Sequence, residues 1–170
     1  MQIRLASERD IPAISALLKQ VAAVHSDLRP DLFRQQVSKQ EPEALVPMLH
    51  DANNPIFVAE LNGEVVGSMF CMLRRYGAEG LFLPYLSLYI DDFCVDEAHR
   101  DKGIGKQMYQ FAREFAAQNG CHNVTLSVWT ANESAVRFYE ACGLQPQRMV
   151  MEERIAENSA AAIPEKTKKD

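Results

Sequence analysis

An apolar strand that breaks into a glycine-bearing loop and then an amphipathic helix constrains this chain more than any other feature. Asp92-Phe93-Cys94-Val95 closes the strand, and Arg100-Asp101-Lys102-Gly103-Ile104-Gly105-Lys106 forms the loop. Met108, Phe111, Ala112 and Phe115 then recur on one helical face. Such a turn presents backbone N–H groups at a helix N-terminus, where the helix dipole also favours negative charge. Two other phosphate loops are excluded by spacing. Gly103 and Gly105 are too close together for a P-loop, and Gln107 stands where that loop needs a hydroxyl. A dinucleotide fingerprint needs a third glycine where this chain has Met108.

Around this unit the chain reads as alternating strands and helices. Gln2 to Leu5 is a short strand, and Ser7 with Asp10 has capping-box spacing ahead of a helical stripe of Ile11, Ile14, Leu18 and Val21. That helix is expected to end near Val24, with a second from Glu43 to His50 headed by Pro42. Two β-rich runs flank Asn62-Gly63, both of which tolerate positive φ, so they predict a hairpin. Arg74 to Pro84 reads as a connecting loop, Tyr85 to Val95 as a long strand, and Val124 to Trp129 as the next strand. Asn132 caps a helix that ends at Gly143, and Gln147 to Glu152 has the composition of a final strand. This order predicts an α/β (α+β) architecture with a mixed sheet covered by helices.

A chain of 170 residues with 47% apolar content suits one core. Residues 1–153 read as that domain, and residues 154–170 as a tail with little to pack. The net charge of −5 argues against a nucleic-acid partner, which needs a basic face. Cys71, Cys94, Cys121 and Cys142 are scattered within or beside apolar runs, so buried free thiols are expected and no metal site. No apolar stretch approaches the roughly twenty residues of a membrane span, and the N-terminus lacks the basic flank of a leader. A cytoplasmic protein is expected.

The run from Asp92 to Lys106, followed by Asn132-Glu133-Ser134-Ala135-Val136-Arg137-Phe138-Tyr139-Glu140-Ala141-Cys142-Gly143-Leu144, resembles the GCN5-related N-acetyltransferase (GNAT) superfamily. Its loop pattern is Gln or Arg, two residues, Gly, one residue, then Gly or Ala, matched here by Arg100, Gly103 and Gly105. The resemblance implies a mostly antiparallel central sheet whose splayed strands form a cleft for acetyl-CoA. It implies that Arg100, Asp101, Lys102, Gly103, Ile104, Gly105 and Lys106 hold the pyrophosphate, and that Asn132 is a further contact. Phe93, Cys94 and Val95 would pair with the pantetheine arm. A backbone N–H of Cys94 or Val95 would polarise the thioester carbonyl, with the choice between them open. Tyr139 aligns with the tyrosine placed near the coenzyme sulfur, where a phenol can serve the departing thiolate. Homodimers are common in such proteins, and one is compatible with this chain.

The acceptor side is less constrained. Asp91 and Asp92 interrupt an apolar strand, and alternation would send them to opposite faces. Asp91 occupies the place of a glutamate that polyamine acetyltransferases of this superfamily use toward the amine. It is therefore the candidate base, acting through water because Asp is shorter. Asp92 would bind a second ammonium or hold a loop. Tyr89 and Trp129 have the character of amine-pocket walls through cation–π contact. No histidine has a triad-like partner, and Cys94 shows no activating neighbour, so direct transfer to a small cationic amine is expected. The alternatives are acetylation of a protein N-terminus or lysine, and a non-catalytic acyl-CoA-binding module.

Overall fold

The computed structural model describes residues 1–35, 40–77 and 83–155. Five strands form one sheet in the order β1 (Gln2–Leu5), β2 (Ile56–Leu61), β3 (Glu64–Tyr76), β4 (Tyr85–Val95) and β5 (Asn123–Leu126). The first four run antiparallel to their neighbours, and only β5 lies parallel to β4. The helices are α1 (Ile11–Leu28), α2 (Pro42–Leu49), α3 (Ile104–Gln118) and α4 (Glu133–Ala141). A mixed, mostly antiparallel sheet covered by helices is therefore the architecture. The turn between β2 and β3 has Asn62 at φ 53° and Gly63 at φ 86°, both positive as a tight hairpin requires.

The sheet separates two apolar clusters. On one face, α3 seats Ile104, Met108 and Ala112 against Phe57, Met69, Leu88 and Ile90. Phe57 meets Phe111 and Phe115 edge-on, each with ring centroids 5.1 Å apart. On the other face, Ile14, Leu18 and Leu45 from α1 and α2 cover Ile56, Val58 and Phe70. Each such buried side chain contributes about 1.5–3 kcal/mol, so both faces are held firmly beneath any site the sheet carries. The entry to α1 is fixed by Asp10. Its carboxylate accepts from the Ser7 N–H at 2.8 Å, the Ser7 hydroxyl at 2.9 Å and the Arg4 guanidinium at 2.7 Å.

Four expectations are corrected. The helix predicted to end near Val24 runs to Leu28, since no breaker intervenes before Arg29-Pro30. Arg74 to Tyr76 belong to β3 and not to a loop, because β4 supplies partners as far as Tyr85, whose ring stacks on Tyr76 at 4.8 Å. Strand β5 stops at Leu126, where its pairing with β4 ends. Gln147 to Glu152 is not a strand: among the described residues no neighbouring strand completes a ladder there, and Met149, Val150 and Met151 are exposed. Most of the expected tail lies outside the described residues.

Candidate active site

The site begins with a mismatch in strand length. β4 pairs with β5 only from Ser87 to Ile90, opposite Asn123 to Leu126. It then continues alone on that side through Asp91-Asp92-Phe93-Cys94-Val95, while its other edge stays paired with β3 as far as Gly67. A β-bulge opposite Phe70 and Cys71 falls at Asp91, where the strands part. Bulges bend a strand and re-aim its side chains. The β4–β5 ladder therefore stops five residues short of the end of β4.

That end leads directly into the glycine loop. Asp101 and Gly103 both adopt positive φ, 61° and 77°, which turns the backbone sharply into α3 with Gly103 as its N-cap. A Cβ at Gly103 would meet nothing within 4 Å, so the space before the turn is open. The first turn of a helix leaves its N–H groups without intrahelical acceptors. Here these belong to Ile104, Gly105 and Lys106, since Gln107 already donates to the Gly103 carbonyl at 3.2 Å. Gly105 has a different reason to be glycine: a Cβ would lie 3.2 and 3.3 Å from the Phe138 ring of α4. The basic side chains steady the loop from outside. Arg100 Nε donates to the Val95 carbonyl at 3.2 Å, and Lys102 Nζ to that of Ala98 at 3.0 Å.

Helix α4 closes the other side. Asn132 caps it, with its Oδ1 accepting from the Ala135 N–H at 3.2 Å and the Ser134 hydroxyl at 2.9 Å. Phe138 packs edge-on against Phe93 at 5.8 Å, which sets α4 against the unpaired part of β4. Tyr139 follows it. Burial, reinforced by Cys142 and Asp92, pushes its phenol well above the ordinary range. The structure thus brings Phe93, the loop glycine Gly105 and Phe138 together, with Tyr139 next in sequence and near Asp92.

The neighbouring acids differ in setting. Asp92 is buried at 6% exposure, near enough to Tyr139 for its charge to act on the phenol, whereas Asp91 is exposed at the bulge. Cys94 is buried, which raises its thiol to about 11, so it stays protonated at neutral pH.

The family model for the acetyltransferase (GNAT) family matches residues 21–144, well over half of the chain. The chain belongs to this family. As a GNAT acetyltransferase it is an enzyme that uses acetyl-CoA. Its relatives include the uncharacterized N-acetyltransferase YhfO of Bacillus subtilis, 30% identical over 147 residues, 85% of this chain and 90% of that one. L-ornithine N5-acetyltransferase NATA1 of Arabidopsis thaliana is 27% identical over 183 residues, covering 85% of this chain and 79% of that protein. Among solved structures, a tetramutant of the BH1408 protein of Bacillus halodurans superposes with a TM-score of 0.86 at 25% identity, covering 91% of this chain and all of that one.

The site fits acetyl-CoA on two counts: nothing would crowd a Cβ at Gly103, at the N-terminus of α3, and β4 runs on beyond its last β5 partner. A separate surface groove of about 500 Å³, lined in part by Tyr109, Gln110, Arg113 and Cys142, shares only Lys106 with the loop. On the acceptor side, the Arg74 guanidinium lies over the ring of Tyr89 at 3.3 Å and that of Arg29 over the ring of Trp129 at 5.2 Å. One face of each ring is thus in contact with one of the chain's own cations. Arg29 also pairs with Asp31 at 2.7 Å and Glu152 at 2.8 Å, and Phe33 meets Trp129 edge-on at 5.8 Å. Sequence reading missed Arg29 and Arg74. Arg74 was legible only through its alternation with Leu73, which a loop assignment hides.

Proposed function

We propose that this GNAT enzyme transfers the acetyl group of acetyl-CoA directly to the primary amine of a small cationic molecule. The observation that carries the reading is the end of the β4–β5 ladder at Ile90 and Leu126, just before the acids and the coenzyme loop. The backbone N–H groups of the Arg100–Lys106 turn hold the pyrophosphate, and the Phe93-Cys94-Val95 edge aligns the arm. Alignment of this kind makes the attack effectively unimolecular. A backbone N–H of Cys94 or Val95 stabilises the oxyanion as it forms.

Asp91, exposed at the bulge, takes a proton from the ammonium through water, leaving a neutral amine. The nitrogen attacks the thioester carbon, the C–S bond breaks, the proton that the new amide nitrogen sheds passes through water to the departing sulfur, and Tyr139 donates a hydrogen bond to that sulfur. Its raised pKa keeps that hydroxyl protonated throughout the neutral range. Cys94, protonated and buried, takes no part as a nucleophile. A small cationic acceptor is supported by the carboxylates at the strand break. It is also in keeping with a relative that bears the name of an ornithine acetyltransferase.

The test is release of free thiol from acetyl-CoA across polyamines, diamino acids, aminoglycosides and peptides, for the wild type and Asp91→Asn. Turnover of a small amine, reduced in the variant most strongly at low pH, supports the reading. Turnover confined to peptides overturns the substrate class, and coenzyme binding without turnover of any amine overturns the catalytic reading.

A further inference from the structure

Arg74 stands out once the acceptor side is described, and three neighbours define its setting. Leu73, Leu88, Ile90 and Leu126 all pack on the α3 face of the sheet. Alternation therefore puts Arg74, Tyr89 and Ser127 on the opposite face, the one that α1 covers. The Tyr89 hydroxyl donates to Ser127 Oγ at 3.2 Å, tying β4 to the end of β5. The half-buried guanidinium of Arg74 lies flat on that ring at 3.3 Å, with one N–H toward the Met72 sulfur at 3.5 Å. Neither partner is a carboxylate, and among the described residues none forms an ion pair with Arg74. Arg29, in contrast, is matched by both Asp31 and Glu152.

A guanidinium held rigid on an aromatic ring presents a planar fork suited to a carboxylate. Its position relative to the strand break gives this meaning. Tyr89 precedes Asp91 by two residues on β4, so the Arg74 guanidinium on its ring sits beside the stretch of strand that leads to the bulge.

We infer that Arg74 binds the carboxylate of the acceptor, so that the preferred substrate is a free diamino acid acetylated on its side-chain amine. This rests on the acetyl-transfer reading above and narrows its substrate. Arg74 takes the carboxylate as a bidentate partner, Tyr89 and Ser127 hold the guanidinium in place, and Asp91 faces the distal ammonium. The arrangement selects against diamines, which leave Arg74 without a partner, and against peptides in which the carboxylate is remote from the amine.

The experiment compares kcat/KM for L-ornithine and L-lysine with that for putrescine, cadaverine, lysinamide and a dipeptide beginning with lysine. Wild type, Arg74→Gln and Arg74→Lys are each assayed. The expected result is a wild-type preference for the free diamino acids over the diamines. Arg74→Gln reduces that ratio by roughly 10- to 100-fold, the scale of a lost charge-assisted hydrogen bond, chiefly through KM, and Arg74→Lys restores part of it. Lysinamide should behave as a diamine. A ratio unchanged in Arg74→Gln, or a wild type that prefers diamines, overturns the assignment while leaving acetyl transfer to amines intact. A preference for the dipeptide assigns the carboxylate to a peptide terminus and also overturns it. Direct calorimetric titration of L-ornithine into the CoA-bound enzyme gives a second readout. Equal affinity in wild type and Arg74→Gln likewise refutes the inference, and failure of every amine to be acetylated rejects the function on which it rests.

Discussion

Replacing Tyr139 with Phe removes one hydroxyl while keeping the ring that packs beside Phe138. The size of the effect follows from the environment of the phenol. Burial first, then Cys142 and Asp92, raise its pKa well above the ordinary phenol value of about 10. A thiol titrates near about 8.5 in reference compounds, so a departing thiolate is a weaker base than this phenolate. Full proton transfer from Tyr139 to the sulfur therefore runs uphill, and the hydroxyl acts as a hydrogen-bond donor to developing charge. A hydrogen bond to a charged acceptor contributes about 1.5–3 kcal/mol, which corresponds to roughly 10- to 150-fold in kcat. Complete general-acid catalysis would account for about 10²- to 10⁴-fold. The assay is steady-state thiol release alongside equilibrium binding of acetyl-CoA, with affinity expected to stay within about twofold. Since a raised pKa preserves the protonated form, Tyr139 should cause no alkaline loss of activity below about pH 10. A wild-type alkaline limb near pH 8 that vanishes in Tyr139→Phe would refute this account, as would an unchanged kcat.

Three further outcomes test the loop and its support. Gly103→Val forces a β-branched residue to φ 77°, at a cost of about 1–2 kcal/mol, so coenzyme affinity should fall roughly 5- to 30-fold. Asn tolerates this region better and should lose less, and wild-type affinity in the valine variant would reject the loop as the pyrophosphate site. Gly105→Ala places a Cβ at 3.2 Å from the Phe138 ring. Overpacking of about 1–3 kcal/mol outweighs a helix-propensity gain of at most about 1, so the melting temperature should drop, and a rise would show that Phe138 yields freely. Asp10, held at a pKa of about 2 by Arg4 despite its burial and further by Ser7, stabilises the fold above about pH 4 and loses that contribution as pH falls toward 2. Melting curves should show wild type losing about 2 kcal/mol more than Asp10→Asn over this range, and parallel losses would disprove the linkage.

How far the sequence discloses this fold depends on how local each determinant is. The Asn62-Gly63 turn and the span of β4 are legible because two turn residues and one aromatic, branched run suffice to specify them. The end of β3 is not, because Arg74-Arg75-Tyr76 becomes strand only when Tyr85-Leu86-Ser87 lies opposite. Gln147 to Glu152 shows the converse: β-prone composition without a neighbour leaves extended chain and exposed methionines. In the site, the glycine loop and Asn132 could be read from spacing and capping chemistry. That Asp91 and Asp92 differ in setting follows from alternation; the bulge at Asp91 does not, because it arises from a mismatch between two strands and leaves no mark in either one.

On the proposed reading, the bulge lets two ligands with different demands share one strand. Before it, β4 is paired on both edges, and its side chains on the α1 face carry the Arg74–Tyr89 stack. After it, β4 has one free edge, and the coenzyme arm requires backbone groups more than side chains. A straight β4 paired with β5 as far as Val95 would satisfy those backbone groups internally and leave no place for the arm. Closing the ladder would gain hydrogen bonds of about 0.5–1.5 kcal/mol each, a cost that a coenzyme arm pairing with this edge, as proposed, would offset on binding. Acetyl-CoA should for that reason protect residues 91–95 from amide exchange more than any part of β1 or β2. Uniform protection across the sheet would mean that the coenzyme stabilises the fold without pairing to this edge.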